Sequence, residues 1–228
     1  TEDFIEQPKV INGASDIIAK IFGEAGHKID YRYLSWQRAL KEVQEGRIDG
    51  AIGATLSDTP SFVFPSMEQG KMSNVFFVKN VSKWKYTGVK SLKGIIFGGI
   101  RDYEYGEPID SYVKKHMNDP NIVQLASGDN AITASIKKLN AGRLSTFIED
   151  ENVFKNSASS LGLADKFKSA GRRKAKNDKD NFIYIGFSPK NSKSKEYAKI
   201  LSEGISKMRA NGQLKKILSK YGLQDWRK

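Results

Sequence analysis

Two stretches of the chain share one order of apolar and polar positions: a short amphipathic helix pattern, then Gly-Arg, then an apolar run. They are ALKEVQEGRIDGAI at residues 39–52 and ASIKKLNAGRLSTFI at residues 134–148. Apolar residues recur at helical spacing in each, which gives each helix one buried stripe. Gly46 and Gly142 are expected to take the left-handed conformation that ends a helix, and the following run predicts a buried strand. Two separate helix-to-strand units predict two α/β lobes, each with its own sheet.

The remaining pattern predicts further elements along the chain. A helix is expected over residues 13–26, with Ser15 as its N-cap and Gly26 as its stop. Ser127 is expected to cap the helix of the second repeat. Further strands are predicted at residues 29–34, 62–65, 74–80, 91–100, 121–126 and 181–189. Further helices are predicted at residues 107–117 and 151–163, and a pair within residues 192–221 is broken at Asn211-Gly212.

The order of these elements predicts how the lobes are assembled. The C-terminal helices have no strands of their own to cover, so they are expected to pack back onto the first lobe. Lobe 1 is then residues 1–80 plus 186–228, and lobe 2 is residues 81–185. The chain crosses twice, near residues 79–83 and 183–188, which predicts a hinge and closure of the lobes on a ligand in the cleft.

The composition is that expected of a soluble globular protein. At 228 residues, with 39% hydrophobic and 11% aromatic residues, it is long enough for two cores and ordinary for a globular protein. No apolar run reaches the roughly 20 residues that span a bilayer. The start, TEDFIEQP, lacks the pattern of a secretion signal, so any signal is expected to have been removed. The absence of cysteine excludes disulfides and thiolate metal sites.

The net charge of +12 comes from 38 basic and 26 acidic residues. It permits nucleic-acid binding, and it equally permits a lysine-rich solvated surface. The lysines are spread along the sequence, and the densest cluster, residues 171–181, is interrupted by aspartates and is interpreted as an exposed loop. We therefore favour the solvated surface and expect no nucleic-acid partner. A positive field would still attract an anionic ligand or an acidic partner.

Catalytic signatures are scarce. The two histidines, His27 and His116, are expected to be solvated, and the sequence contains no GxSxG, HExxH, Walker or GxGxxG motif. The adjacent Glu149 and Asp150 would serve acid–base chemistry if burial raised one pKa. We expect no catalytic residues, no metal and no cofactor, and we keep an enzyme as an alternative.

Four segments resemble the extracytoplasmic solute-binding proteins (family 3) of ABC transporters, the amino-acid-binding type. They are SWQRALKEVQEGRIDGAI, SLKGIIFGGIRDYEYGE, GRLSTFIED and the C-terminal stretch from IGFSPKNSKSKEYAKI to YGLQDW. The resemblance covers almost the whole chain. It implies an α/β, two-lobed periplasmic-binding-protein (type II) fold, with a mixed sheet flanked by helices in each lobe. It also implies a periplasmic, monomeric receptor that captures a small polar, amino-acid-like or amine-containing solute for ABC permease subunits.

The same resemblance carries residue roles. Trp36 matches, by its spacing to Asp49, the aromatic residue on which the ligand stacks; a core tryptophan is the alternative. Asp150 falls at the carboxylate that holds the ligand's amine, with Glu149 beside it, although capping of the following helix would also explain an acid there. Tyr103 and Tyr105 occupy the loop of the second lobe that approaches the ligand, one facing the ligand and one packing.

Two departures from the family pattern limit what is carried over. The family's T-x-E-R turn supplies an arginine for the ligand's carboxylate, but residues 55–65 (TLSDTPSFVFP) contain none. Arg101 is the substitute donor, with a plain surface arginine as the alternative, and Thr55 offers a hydroxyl. The chain also begins at Thr1-Glu2, already in the family's first turn. We therefore expect Glu2 to touch the ligand and the first strand to be absent.

The resemblance leaves two other classes of function open. One is an extracytoplasmic sensor module for a signalling receptor, and the other is a dehydratase-like enzyme on the same fold.

Overall fold

The computed structural model describes the backbone of residues 2–6, 12–57, 59–175 and 177–227, and their side chains except those of residues 2–6, 12, 178 and 180. The chain divides into two compact units. The first is Thr1–Lys71 with Asn177–Lys228, and the second is Met72–Lys176. The chain therefore passes between the units twice, as predicted from the order of elements.

Ten strands and seven α-helices lie along the described residues. The first unit begins with β1 (Glu2–Glu6), α1 (Asn12–Glu24), β2 (Ile29–Tyr33), α2 (Trp36–Gln44), β3 (Gly50–Ala54) and β4 (Gly70–Lys71). The second unit contains β5 (Asn74–Lys79), β6 (Phe97–Ile100), α3 (Ile109–His116), β7 (Val123–Ala126), α4 (Ala131–Asn140), β8 (Thr146–Asp150), α5 (Glu151–Ser160) and β9 (Phe167–Arg172). The chain returns to the first unit with β10 (Phe182–Phe187), α6 (Ser194–Ala210) and α7 (Gln213–Lys220). Short 3₁₀ turns lie at Val89–Leu92, Ala164–Lys166 and Asp178–Asn181.

The first unit is built on a mixed sheet of strand order β2-β1-β3-β10-β4. β1 runs parallel to β2 and β3, whereas β10 runs antiparallel to β3 and β4. Helices α1, α6 and α7 pack their apolar stripes on this sheet, around Ile18, Phe22, Phe187 and Leu201. The C-terminal helices cover the first sheet, as the sequence predicts.

The second unit has its own mixed sheet, of strand order β7-β6-β8-β5-β9. β6 runs parallel to β7 and β8, and β5 runs antiparallel to β8 and β9. Phe77 of β5 stacks on Phe154 of α5 with ring centroids 3.7 Å apart. Each unit is therefore a mixed sheet flanked by helices, which confirms the predicted α/β class.

The repeated Gly-Arg signature ends both helices in the same way. Gly46 has φ 78° and Gly142 has φ 74°. After α2, the N–H of Arg47 donates to the carbonyl of Glu42 at 2.9 Å, and after α4 the N–H of Arg143 donates to Lys138 at the same distance. These bonds satisfy carbonyls that a helix end leaves free, and they define a Schellman motif. The predicted left-handed glycines are confirmed.

The boundaries between the units differ from the expected ones. Strand β5 hydrogen-bonds to β8 and β9, so it belongs to the second sheet, although it was expected in lobe 1. Strand β10 pairs with β3 and β4 from its first residue, so all of it belongs to the first sheet. The units meet at 71/72 and 176/177 rather than at 80/81 and 185/186. Residues 74–78 are all buried, and an apolar run of this kind does not encode which sheet it joins.

Several local expectations are corrected. A first strand is present, because β1 pairs with β2 and β3, so residues 2–6 are not a turn. Helix α1 already includes Ser15, and α4 starts at Ala131 after Asn130, so neither Ser15 nor Ser127 is an N-cap. Residues 62–65 form no strand, only a single bridge from Val63 to Phe187. Strand β9 takes in the start of the expected 171–181 loop and was not predicted.

None of the helices in the described ranges is both long and apolar enough to cross a bilayer.

Candidate functional site

Two predicted site residues lie at the same edge of the first sheet. Because β1, β2 and β3 are parallel, their carboxyl ends point to one edge, the edge at which α/β sheets carry ligand groups. Thr55 follows β3 directly, and Trp36 starts α2 three residues after β2. The structure therefore brings these two residues to one edge of the first unit.

The sequence leaves two alternatives for Trp36, a core residue or an accessible ring, and the side chain has features of both. Its side chain is half-buried against the cluster formed by Ala39, Val43, Ile48, Ala51 and Phe62. One part of the ring thus anchors α2 to the sheet, and the other part is accessible. A ring fixed in this way offers contact area at little entropic cost.

The loop after β3 is short of cationic donors. The Thr55 hydroxyl oxygen lies 2.9 Å from that of Ser57. Thr59 is buried, and within the described residues its hydroxyl has no hydrogen-bond partner. Phe62 closes the loop onto the core of α2. This loop therefore offers hydroxyl groups, where the family pattern has a guanidinium.

Glu2 lies at the opposite edge of the first sheet. It pairs with Ile29 at the amino end of β2, whereas Thr55 lies beyond the carboxyl end of β3. Measured along the strand direction, Glu2 and Thr55 are seven residues apart, which corresponds to roughly 20 Å. The structure does not bring Glu2 together with Trp36 and Thr55.

In the second unit, Asp150 ends β8 and caps α5. Its Oδ1 accepts from the backbone N–H groups of Asn152 (2.9 Å) and Val153 (3.3 Å), and its Oδ2 accepts from the N–H of Ser73 (2.8 Å). Burial raises the pKa of Asp150, and these backbone hydrogen bonds oppose the rise. The capping expected from the sequence is present. It fixes a carboxylate at the carboxyl edge of the second sheet.

Glu149 is a buried neighbour of Asp150 with a different role. Its side chain is 3% exposed, and its Oε1 accepts from the Asp150 N–H at 2.8 Å. Within the described residues its Oε2 has no hydrogen-bond partner. Burial raises the pKa of Glu149 to about 8, so the side chain is protonated at neutral pH. It lies inside the unit and not on a ligand-accessible edge.

The loop after β6 contains the three other predicted residues. Arg101 is exposed and, within the described part of the chain, forms no salt bridge. Tyr103 is half-buried, whereas Tyr105 is 1% exposed and its hydroxyl oxygen accepts from the Ile100 N–H at 2.6 Å. The Asp110 carboxylate accepts from the N–H groups of Tyr105 and Gly106, which fixes the loop. Tyr105 is therefore the packing member of the pair, and Tyr103 is the accessible one.

Sequence reasoning missed Ser73, a partner of Asp150, and the arginine that binds Ser73. Ser73 precedes β5 and donates its N–H to Asp150, and the guanidinium of Arg172 bonds the Ser73 hydroxyl. Arg172 also pairs with Glu151 at 2.5 Å. The cross-strand partners Asn74 and Asp150 explain this proximity. This proximity can be predicted only once β5 is known to pair with β8 and β9.

Potential catalytic and metal chemistry is scarce in the described residues. They contain no cluster of three or more His, Asp or Glu side chains able to hold a metal ion. His27 packs edge-on against Phe22 and Tyr197, with centroids 5.9 and 5.5 Å away, so it is a packing residue and not the solvated one expected. His116 lies 4.7 Å from the Tyr112 ring on α3.

Sequence comparison identifies the family. Residues 4–224 match the family of bacterial extracellular solute-binding proteins, family 3. The chain belongs to this family. A comparison with curated proteins gave no match.

Solved structures share the fold of this family-3 chain at low sequence identity. A structure from work on glutathione import through GshT and the cystine importer TcyBC of Streptococcus mutans has a TM-score of 0.77 and 16% identity, over 98% of this chain and 95% of that one. The substrate-binding protein AbpA of Streptococcus pneumoniae, bound to L-arginine, has a TM-score of 0.74 and 16% identity, over 96% and 93%. A histidine kinase sensor domain similar to periplasmic binding proteins has a TM-score of 0.75 and 15% identity, over 98% and 97%. The likeness confirms the predicted periplasmic-binding-protein fold, and family and fold are those of solute-binding proteins.

Proposed function

We propose that this family-3 protein is the periplasmic receptor of an ABC importer and that it binds a small polar solute carrying an amine. The family match over residues 4–224 supports the receptor role. A small-molecule solute and permease subunits are then its partners, and we propose that it acts as a monomer. We infer the amine from one observation, the Asp150 carboxylate at the carboxyl edge of the second sheet.

Asp150 is well suited to hold a cation. Three backbone N–H groups fix both of its oxygens, so little side-chain entropy is lost when a ligand binds. Burial raises its pKa, so a bound ammonium group would restore the ionised form by direct charge pairing. A charge-assisted hydrogen bond of this kind contributes about 1.5–3 kcal/mol.

We propose Trp36, Thr55, Arg101 and Tyr103 as further solute contacts. Trp36 offers a half-exposed ring, whose face attracts an ammonium by roughly 0.5–2 kcal/mol. Arg101 is the exposed guanidinium for an anionic group of the solute, since the loop after β3 has no arginine. Tyr105 and Glu149 are too buried for direct contact and are proposed as support for the loop and for Asp150.

The comparisons support an amine without naming the solute. L-arginine and glutathione, named for two of the similar structures, both carry an ammonium group. Those solutes are properties of those proteins. The missing arginine in residues 55–65 leads us to propose the broader class of amine-containing solutes rather than standard α-amino acids.

The experiment combines ligand identification with one matched pair of variants. Native mass spectrometry of the purified protein identifies a bound compound, and thermal shift with a panel of amines identifies solutes that stabilise it. Ligand at a hundredfold excess over its Kd adds about 2.7 kcal/mol to the free energy of unfolding. Asp150→Asn is expected to weaken binding roughly tenfold to hundredfold. Asp165→Asn, an exposed acid of the same unit, is expected to leave binding unchanged.

Two results would contradict this function. If no amine of the panel stabilises the protein and no compound co-purifies with it, the protein is not a receptor for an amine. If the Asp150→Asn and Asp165→Asn proteins bind the solute equally well, Asp150 does not contact the solute. A solute recovered chemically altered after incubation would instead favour the enzyme alternative.

A sensor role is the second candidate. The similarity to a histidine kinase sensor domain covers nearly the full length of both chains. A sensor module would bind its solute in the same way but associate with a signalling protein. Affinity purification in the presence of the solute distinguishes the two, since recovery of permease subunits supports import and recovery of a kinase supports sensing.

A further inference from the structure

The positive charge of the second unit is concentrated in two segments that are distant in sequence. Residues 79–100 contain five lysines and no acid, and residues 166–176 contain six basic residues and no acid. The rest of this unit, residues 72–78 and 101–165, has seven basic and ten acidic residues. The excess positive charge of the unit therefore comes entirely from these two segments.

The fold brings the two segments together at an edge of the second sheet. Strand β9 is an edge strand, and it pairs with β5 so that Lys79 lies opposite Phe167 and Val78 opposite Lys168. Beyond β5, the N–H of Asn80 donates to the carbonyl of Lys166 at 3.0 Å. The chain then turns back, and the N–H of Tyr86 donates to Ala170 at 2.7 Å. We call the resulting lysines the basic edge: Lys79, Lys83, Lys85, Lys166 and Lys168.

Alternation of side chains directs Lys83 and Lys85 outward. Lys166 and Lys168 are exposed as well, and Lys79 is half-buried. In the run Lys83-Trp84-Lys85-Tyr86, the lysines are exposed and the aromatic residues are half-buried. The Trp84 indole donates to the Ser91 carbonyl at 2.9 Å, and the Tyr86 ring stacks on Phe76 at 3.9 Å. The core therefore holds the two aromatic rings, and the lysines are left on the solvent side.

The basic edge has little neutralising charge. Among the described residues, the one salt bridge made by its lysines joins Lys166 to Asp165, at 3.6 Å between Nζ and Oδ2. Val81 lies at the tip of the turn between Lys79 and Lys83, and it is 85% exposed. The turn is closed by the Ser82 N–H, which donates to the carbonyl of Lys79 at 2.9 Å. The edge is thus a group of lysines with one exposed apolar side chain at the turn.

We propose that the basic edge docks on a membrane surface of anionic phospholipids. Lysine is a flexible point charge suited to diffuse attraction by lipid headgroups, whereas shaped recognition of single phosphates favours arginine. The exposed Val81 side chain is placed to enter the interfacial layer. Single-stranded nucleic acid would need accessible aromatic rings for base stacking, but Trp84 and Tyr86 face the core. A protein partner would need a larger apolar centre than Val81 provides.

Vesicle flotation tests this surface with matched charge variants. The wild-type protein is mixed with phosphatidylcholine vesicles that contain or lack phosphatidylglycerol, at an ionic strength of about 0.1 M or below. The test variant is Lys83→Glu/Lys85→Glu/Lys168→Glu. The control variant is Lys195→Glu/Lys215→Glu/Lys216→Glu, three exposed lysines of α6 and α7 that change the net charge equally. Circular dichroism and thermal unfolding check that both variants are folded.

The expected result separates the basic edge from net charge alone. The wild-type protein and the control variant bind the phosphatidylglycerol vesicles, and the test variant binds them roughly a hundredfold more weakly. Equal binding to neutral vesicles, or an equal loss in both variants, would overturn the proposal. Retention on DNA without vesicle binding would also overturn it, in favour of a nucleic-acid surface. The outcome does not depend on the solute proposed above.

Discussion

Two adjacent carboxylates of β8 have opposite surroundings. Successive side chains of a strand point to opposite faces, so Glu149 and Asp150 separate although they are neighbours in sequence. Glu149 is directed into the interior of the second unit, where it is 3% exposed. Asp150 lies at the strand end, where the first N–H groups of α5 hold its oxygens. This difference in surroundings is why we propose Asp150 for ligand contact and Glu149 for support.

The raised pKa of Glu149 predicts a pH-dependent stability. The folded state keeps the proton up to about pH 8, whereas the unfolded chain loses it near 4.5. Between these values the folded state binds more protons, so the free energy of unfolding falls as pH rises, by up to about 1.4 kcal/mol per pH unit. Above pH 8 the effect is flat. Urea unfolding at a series of pH values measures this slope.

Glu149→Gln is the diagnostic variant for this slope. Its amide cannot titrate, and its oxygen still accepts from the Asp150 N–H, so the fall between pH 4.5 and 8 should be lost. Glu203→Gln, at an exposed side chain, should follow the wild-type curve. Parallel curves for the wild-type and Glu149→Gln proteins would show that Glu149 ionises normally in the folded state.

The sequence predicts where some candidate residues lie in the fold and misplaces others. Thr55 follows a strand directly, Trp36 lies three residues after one and Asp150 ends one, and strand ends are predicted by pattern alone. The sequence expects one of Tyr103 and Tyr105 to pack, but the choice depends on the Ile100 N–H, a contact made only in the folded loop. Glu2 was misplaced because its position was inferred from the family's turn, whereas β1 begins at this residue.

At the scale of elements, the two Schellman ends differ in one respect that predicts different mutational costs. A Cβ on Gly142 would meet nothing within 4 Å, but a Cβ on Gly46 would lie 3.1 Å from Cβ of Lys190. Both glycines have positive φ, so alanine costs roughly 1–2 kcal/mol at either position. Gly46→Ala should cost more because Lys190 must also move.

Gly23→Ala is the matched control for these two substitutions. Gly23 lies in the last turn of α1, has no neighbour within 4 Å of an added Cβ, and does not have positive φ. Alanine there should stabilise the protein by about 0.5 kcal/mol. Chemical denaturation of the three variants checks the order. A Gly142→Ala protein as stable as the wild type would contradict the requirement for a left-handed residue.

Pairing between elements is the level at which the sequence is least informative. Strand β5 was predicted from its apolar run, yet its sheet was misassigned because buried runs look alike whichever sheet they join. Strand β9 has Phe167 and Ala170 buried among exposed polar residues, a pattern too irregular to predict a strand. The basic edge depends on these two strands, so scattered lysines in the sequence become a cluster only after pairing.

At the scale of the whole molecule, the first unit is completed by the C-terminus of the chain. Strand β10 and helices α6 and α7 join a sheet begun by β1–β4. The last described residues then bind the segment before β4. Glu68, with its side chain 1% exposed, accepts from Arg227 at 2.5 and 2.6 Å and from the Trp226 indole at 2.8 Å. Arg209 pairs with Asp225 at 2.8 Å and lies 5.2 Å from the Trp226 ring. We call these contacts of Glu68 with Trp226 and Arg227 the C-terminal clasp.

The C-terminal clasp predicts a coupled loss of stability. Burial opposes ionisation of Glu68, but hydrogen bonds from Arg227, the Glu68 backbone and Trp226, together with the charge of Arg227, keep the pKa of Glu68 below its usual range. Arg227→Met leaves this carboxylate buried without its guanidinium and should lower the free energy of unfolding by about 2 kcal/mol at neutral pH. Glu68→Gln/Arg227→Met should recover part of that loss, because a neutral amide tolerates burial better. Urea unfolding of the single and double variants measures the coupling. Strictly additive effects would mean that Glu68 and Arg227 do not act as a pair and that the C-terminus only covers the first unit.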